Sequence, residues 1–226
     1  MHTFAVLFIA FLSLSFPTFA GDEICNGGDV IVCPRQTPRL LDLHERDVLY
    51  SYGEHPQEAL WSAFKPLHIK DTVEELIEPL KTTAPDLHTC LSSYIDNDSF
   101  WEQIRHLPGH EMHNVQDEVS YVVPVGCEKK QVALQLRTPL HKAPRYLINE
   151  DIWIRMNSFQ QAGLIVHEIL LFNALQSPGW KGNTPAVRQA TAFIMSEQTS
   201  LLEQADMSKA IKDLNLICRP FIADMK

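Results

Sequence analysis

Apolar and polar positions along this chain follow two rhythms, one of period two and one near 3.6, and these divide it into short strands and helices. "DVIVC", residues 29–33, is a β-branched run closed by Pro34 and predicts a strand. In "RLLDLHERDVLY", 39–50, Leu41 and Leu43 alternate with Asp42 and His44. The run also suits the start of a helix, but the alternation predicts a strand that pairs with 29–33 as a hairpin, with "SYGEHP" as the turn. Helical spacing begins after Pro56. "DTVEELIEPLKTT" sets Val73, Leu76, Ile77 and Leu80 on one face, with a break near Pro79. "PDLHTCLSSYI", 85–95, sets Leu87, Cys90, Leu91 and Tyr94 on one side.

Residues 96–119 are polar and histidine-rich, and predict a short helix near 99–106 followed by a loop. "VSYVVPVGC", 119–127, and "QVALQLR", 131–137, predict two strands. "RYLINEDIWI", 145–154, predicts a third strand or the approach to the next helix. Ser158 followed by Gln161 forms a capping box, and the helix behind it runs to about Gln176, where Pro178-Gly179 ends it. Thr184-Pro185 opens another helix that turns Val187, Ala190, Ile194 and Met195 inward, and a last one covers about 207–217. There is no internal repeat and no low-complexity linker. The pattern predicts a single α+β domain over 21–226: a small, mainly antiparallel sheet covered by helices, the 159–176 helix central.

That central helix carries the sharpest anomaly. From Ala162 to Phe172 it is apolar except for the adjacent pair His167 and Glu168. His167 shares its face with Gly163, Leu164, Leu170, Leu171 and Ala174, so the pair is predicted to be enclosed. An enclosed carboxylate persists only if it is compensated or protonated. Two readings are open. In the first the pair is structural, Glu168 being answered by the Arg188 guanidinium of the following helix. In the second, "GHEMHNVQD", 109–117, folds over the helix. His110, His113 and His167 then hold zinc, Glu111 and Asp117 add oxygens, and Glu168 acts as the general base of a hydrolase. A conventional zinc-peptidase helix needs His at i and i+4, and position i+4 from His167 is Leu171.

Charge and cysteine usage narrow the setting. The 226 residues carry a formal net charge of −9, which opposes binding to phosphate backbones and excludes nucleic acid as a partner. Residues 1–20, "MHTFAVLFIAFLSLSFPTFA", hold an apolar run from Phe4 through Leu14, a break at Pro17 and the small-residue box Thr18-Phe19-Ala20. They predict a cleaved secretory signal peptide, with an uncleaved membrane anchor as the rival. No later segment is apolar enough to span a bilayer. The five cysteines, Cys25, Cys33, Cys90, Cys127 and Cys218, form no C-x-x-C, so in an oxidising compartment disulfides are expected. Cys33 ends the first predicted strand and Cys127 ends "VVPVGC", so a Cys33–Cys127 bridge would staple the sheet.

The ordered set "NGGDVIVC", "LLDLHE", "VVPVGC", "QVALQL", "QQAGLIVHEILL" and "VRQATAFIMS" resembles a group of uncharacterised exported bacterial proteins. These have a Gly-Gly-Asp…Cys start, a Leu-Leu-Asp-Leu-x-Glu run, a Pro-x-Gly-Cys and a late His-Glu helix. The likeness spans most of the chain beyond residue 20. It implies a bacterial origin and an export route, to the periplasm or beyond, and supplies no activity. The group often has Tyr where this chain has Leu171, which again is no zinc ligand. The expectation is therefore an exported protein with a buried structural His–Glu pair, or alternatively the metal-dependent hydrolase.

Overall fold

The computed structural model describes residues 23–56, 58–63, 68–112, 122–136, 144–176, 184–213 and 218–221. The predicted signal segment and His113 lie outside them. Among the described residues the strands are β1 (Glu23–Asn26), β2 (Asp29–Val32), β3 (Arg39–Leu40), β4 (Ile104–Leu107), β5 (Glu128–Gln131), β6 (Ala133–Leu136) and β7 (Tyr146–Asn149). The first helices are α1 (Leu41–Glu45), α2 (Glu58–Ala63), α3 (Ile69–Ile77), α4 (Leu80–Thr83), α5 (Pro85–Ile95) and α6 (Asp98–Trp101). They are followed by α7 (Glu150–Trp153), α8 (Ser158–Leu175), α9 (Pro185–Ile194), α10 (Gln198–Leu201) and α11 (Gln204–Asp213).

The strands form two small sheets rather than one, ordered β1-β6-β7-β4 and β3-β2-β5. All pairings are antiparallel except β4 with β7. The two sheets are halves of one interrupted ladder. β1 pairs with β6 and β2 with β5, and the break falls at Gly27-Gly28 on one side and Val132 on the other. Gly28 keeps its carbonyl in the join by accepting from both Val132 and Ala133 N–H. Its own N–H leaves the ladder. A Cβ at Gly28 would run into Leu164 Cδ1, so any larger residue there would push that buried side chain aside.

α8 is the centre of the molecule. Asn157 caps it, its side chain accepting from Gln160 N–H, so the helix starts one residue before the capping-box reading would have it. Every residue from Ser158 through Asn173 is buried, because α2, α3, α5, α9 and β3 all pack around it. A helix apolar on all sides is one enclosed on all sides. The contiguous core runs from Val30 of β2 through α3 and α5 to α8, α9 and Met207 of α11.

Several local expectations are corrected. Only Arg39–Leu40 of the 39–50 run is strand, paired with β2 as the hairpin reading required; α1 and a π-helical turn, Arg46–Tyr50, take the rest. The reason is side-chain satisfaction: a helix buries Leu41, Asp42, Leu43 and Glu45 together, and Asp42 and Glu45 both find buried partners. Residues 122–127 form no strand; pairing with β2 begins at Glu128. The short helix expected near 99–106 stops at Trp101, and Ile104–Leu107 pairs with β7 instead. Residues 145–154 are both things foreseen, a strand and then the start of helix α7.

Two disulfides are present among the described residues. Cys33–Cys127 joins the end of β2 to the approach to β5, as expected, with Cα atoms 4.3 Å apart. Cys90–Cys218 was not foreseen, and it ties α5 to the segment 218–221. That segment is held further by Tyr94 donating to Arg219 O and by Arg219 N–H donating to Asn173 of α8. Both bridges fit an oxidising, non-cytoplasmic compartment. Among the described residues no helix is long and apolar enough to cross a membrane.

Candidate functional site

His167 and Glu168 sit mid-way along α8, only 1% and 2% exposed. Glu168 is met entirely by neutral donors. Its Oε1 accepts from the Gly28 N–H at 2.7 Å, and its Oε2 from the Gln135 amide at 2.7 Å. The same amide nitrogen donates to the Glu168 carbonyl at 2.6 Å, so Gln135 clamps both ends of the residue. Burial raises the Glu168 carboxyl above the ordinary range, with the His167 charge and the Gly28 and Gln135 hydrogen bonds working against it.

His167 turns the other way. Its Nδ1–H donates to Asp42 Oδ2 at 2.6 Å, the carboxylate coming from α1. Burial alone pulls the imidazole down, but the charge and hydrogen bond of Asp42, helped by Glu168, more than offset it, so the histidine is raised overall. His167 Nε2, Asp42 Oδ1 and Asp29 Oδ1 are buried without a hydrogen-bond partner among the described residues.

Arg188 corrects the expected pairing. Its Nε donates to Glu45 Oε2 at 2.9 Å and its Nη1 to Thr184 Oγ1 at 3.0 Å, so the guanidinium serves α1 and not Glu168. The physical reason lies in the ladder break: Gly28 N–H and Gln135 already occupy both Glu168 oxygens, and the second inward carboxylate of α1 needs the cation. A further pair completes the group, Lys129 Nζ donating to Asp29 Oδ2 at 2.7 Å. Burial pushes Asp29 up to about 6, against the pull of Lys129, Arg188 and His167.

The metal reading finds no such support. His110 is exposed on the loop after β4, its Nδ1 bonded back to Pro108 O, while His167 is sealed in the core. Glu111 is exposed on the same loop. His113 and Asp117 fall outside the described residues. Among the described residues no three His, Cys, Asp or Glu side chains are placed to hold a metal ion. The structure does not bring His110 and His167 together, because an exposed loop and a helix enclosed on all sides cannot present ligands to one point without a channel between them.

What stands around His167 and Glu168 is a buried network of Asp29, Asp42, Glu45, Lys129, Gln135 and Arg188. Apart from Arg188, sequence reasoning had not assigned them to it. The strand reading of 39–50 hid Asp42 and Glu45, which share a face only at the i, i+3 spacing of a helix. Gln135 carried no signal beyond its place in a strand. No protein-family model matches this chain, and neither a curated protein nor a solved structure does.

Proposed function

We propose that this chain is an exported bacterial protein, periplasmic or secreted, in which His167 and Glu168 are structural. They lock the strand break and α1 onto the central helix and perform no hydrolysis. The observation that carries this is the state of Glu168: at 2% exposure both of its oxygens are taken by the protein's own donors. A general base needs a free oxygen within reach of a water or substrate proton. The two disulfides support folding outside the cytoplasm, and the apolar run ending in Thr18-Phe19-Ala20 supports a cleaved signal. Expression of the full chain in a bacterium, followed by fractionation, N-terminal sequencing and metal analysis, tests the reading. The expected product begins at Gly21, lies outside the cytoplasm, and carries no stoichiometric zinc. A product retained in the cytoplasm would refute export; zinc bound at one per chain and lost on His167→Asn would refute the structural role.

A further inference from the structure

The charges enclosed around His167 and Glu168 come closest to balance when His167 carries two protons. Among the described residues next to the pair, four carboxylates, Asp29, Asp42, Glu45 and Glu168, stand with two permanent cations, Lys129 and Arg188, and all six side chains are buried. Lys129 and Arg188 are engaged by Asp29 and Glu45. Asp42 therefore has His167 as its charge partner, and Glu168 has only neutral hydrogen-bond donors. A neutral imidazole would leave two enclosed carboxylates without a cation. The penalty for an uncompensated buried charge is far larger than for a neutral polar group.

We propose that His167 is a proton-operated latch: its imidazolium form fastens Asp42, and with it α1 and the preceding strand pair, onto α8, and loss of one proton loosens them. The proposal rests on the structural reading of the His–Glu pair and adds a regulation to it. The groups acting on the imidazole come from every element around it. They are Asp42 from α1, Asp29 from β2, Glu168 from α8 itself and Arg188 from α9, with Glu45 of α1 paired to Arg188 and Lys129 of β5 to Asp29. Tyr146 of β7 stands beside Glu168, and Tyr50 beside Asp42 and Glu45. The two unpartnered carboxylate oxygens, Asp29 Oδ1 and Asp42 Oδ1, lie in the same enclosure and favour a cation there.

The sign of the pH effect follows. A histidine raised above 6.5 in the folded state contributes stability fully present below pH 6.5 and lost as pH rises through its folded value. Asp29, raised to about 6, and the raised Glu168 act in the same direction. His55, lowered to about 4 by burial and Arg46, opposes them below 6.5, as do the lowered His44 and His106. Above 6.5 those three are neutral in both states, and His167 acts without their opposition. Opening of α1 should then grow by up to about tenfold per pH unit until the folded value is passed.

Long-range proton–nitrogen spectra of the mature protein labelled in histidine test this directly. Both ring nitrogens of His167 should remain protonated above pH 6.5, where a free imidazole has lost one proton. Corrected amide protection at Leu41–Glu45 should fall as pH rises above 6.5 through the His167 midpoint that the same spectra give, while α5 stays protected. A singly protonated His167 at about pH 6, or protection at α1 that ignores pH, overturns the latch and leaves the structural reading of Glu168 standing. Asp42→Asn should shift the His167 titration down and flatten the protection profile; an unchanged titration overturns the proposal. Should that variant fail to fold, the wild-type spectra still decide.

Discussion

A double-mutant cycle on Glu45 and Arg188 separates the pairing seen in the structure from the one α8 suggests by itself. Glu45 and Arg188 are 2% and 3% exposed, and their contact is 2.9 Å. Arg188→Met strands the Glu45 carboxylate, and Glu45→Gln strands the guanidinium. Removing one member of a buried ion pair costs about 3–5 kcal/mol. That is a large part of the ~5–15 kcal/mol that holds a domain folded. Removing both costs far less than the sum, because neither charge is then left alone. The coupling between the two sites should be about 2 kcal/mol or more. The same cycle on Glu168 and Arg188 should give a much smaller coupling, since Glu168 is satisfied by Gly28 and Gln135. Urea unfolding at constant slope supplies the free energies. Additive losses for Glu45 with Arg188, or a larger coupling for Glu168 with Arg188, would refute the pairing.

Three further outcomes follow from the same geometry. Gln135→Leu removes the donor to both Glu168 Oε2 and the Glu168 carbonyl, and should cost about 1–3 kcal/mol by urea unfolding; a neutral effect would show that the amide does not clamp the helix. Gly28→Ala forces a Cβ into Leu164 Cδ1 and should lower stability by about 1–3 kcal/mol, whereas an unchanged melting temperature would place the strand farther from α8. The double change Cys90→Ser with Cys218→Ser should cost about 2–5 kcal/mol and raise amide exchange at Arg219 and Phe221, which donate to Asn173 and Ser93; unchanged exchange there would mean that the bridge does not seat the segment.

The enclosure of α8 was legible because it is written in one continuous stretch. Residues 162–172 carry apolar side chains at every angle, and helical period converts that into burial without reference to anything else. The Cys33–Cys127 bridge was legible for a similar reason, each cysteine ending a run that looked tied to the sheet. Glu168's partners were not. Gly28 and Gln135 are 140 and 33 residues away, and nothing local to either position indicates a carboxylate. Arg188 was found as a buried cation and given the wrong partner, because Glu45 lay in a run whose alternation of Leu41 and Leu43 mimicked a strand. A strand sets Leu41 and Leu43 on one face and a helix sets them about 200° apart, but α1 is five residues long and buries both leucines, so its apolar positions do not tell the two periods apart.

The ladder break explains why a helix otherwise built for the core carries a carboxylate. Where β1 gives way to β2, Gly27 and Gly28 leave the strand pairing, and the Gly28 N–H points away from β5 toward α8. An all-apolar α8 would bury that donor unsatisfied, at a cost of about 1–3 kcal/mol, and would leave the Gln135 side-chain amide with only the backbone carbonyl of residue 168. Glu168 answers both with its two oxygens. A glutamine there would offer a single acceptor oxygen and turn an NH₂ group toward the second donor. The carboxylate is thus the side chain that accepts from two directions at once, and its charge is the consequence. Asp42, paired with His167, brings α1 to the same turn of α8 as the strand break, and Glu45, paired with Arg188, ties α9 to α1.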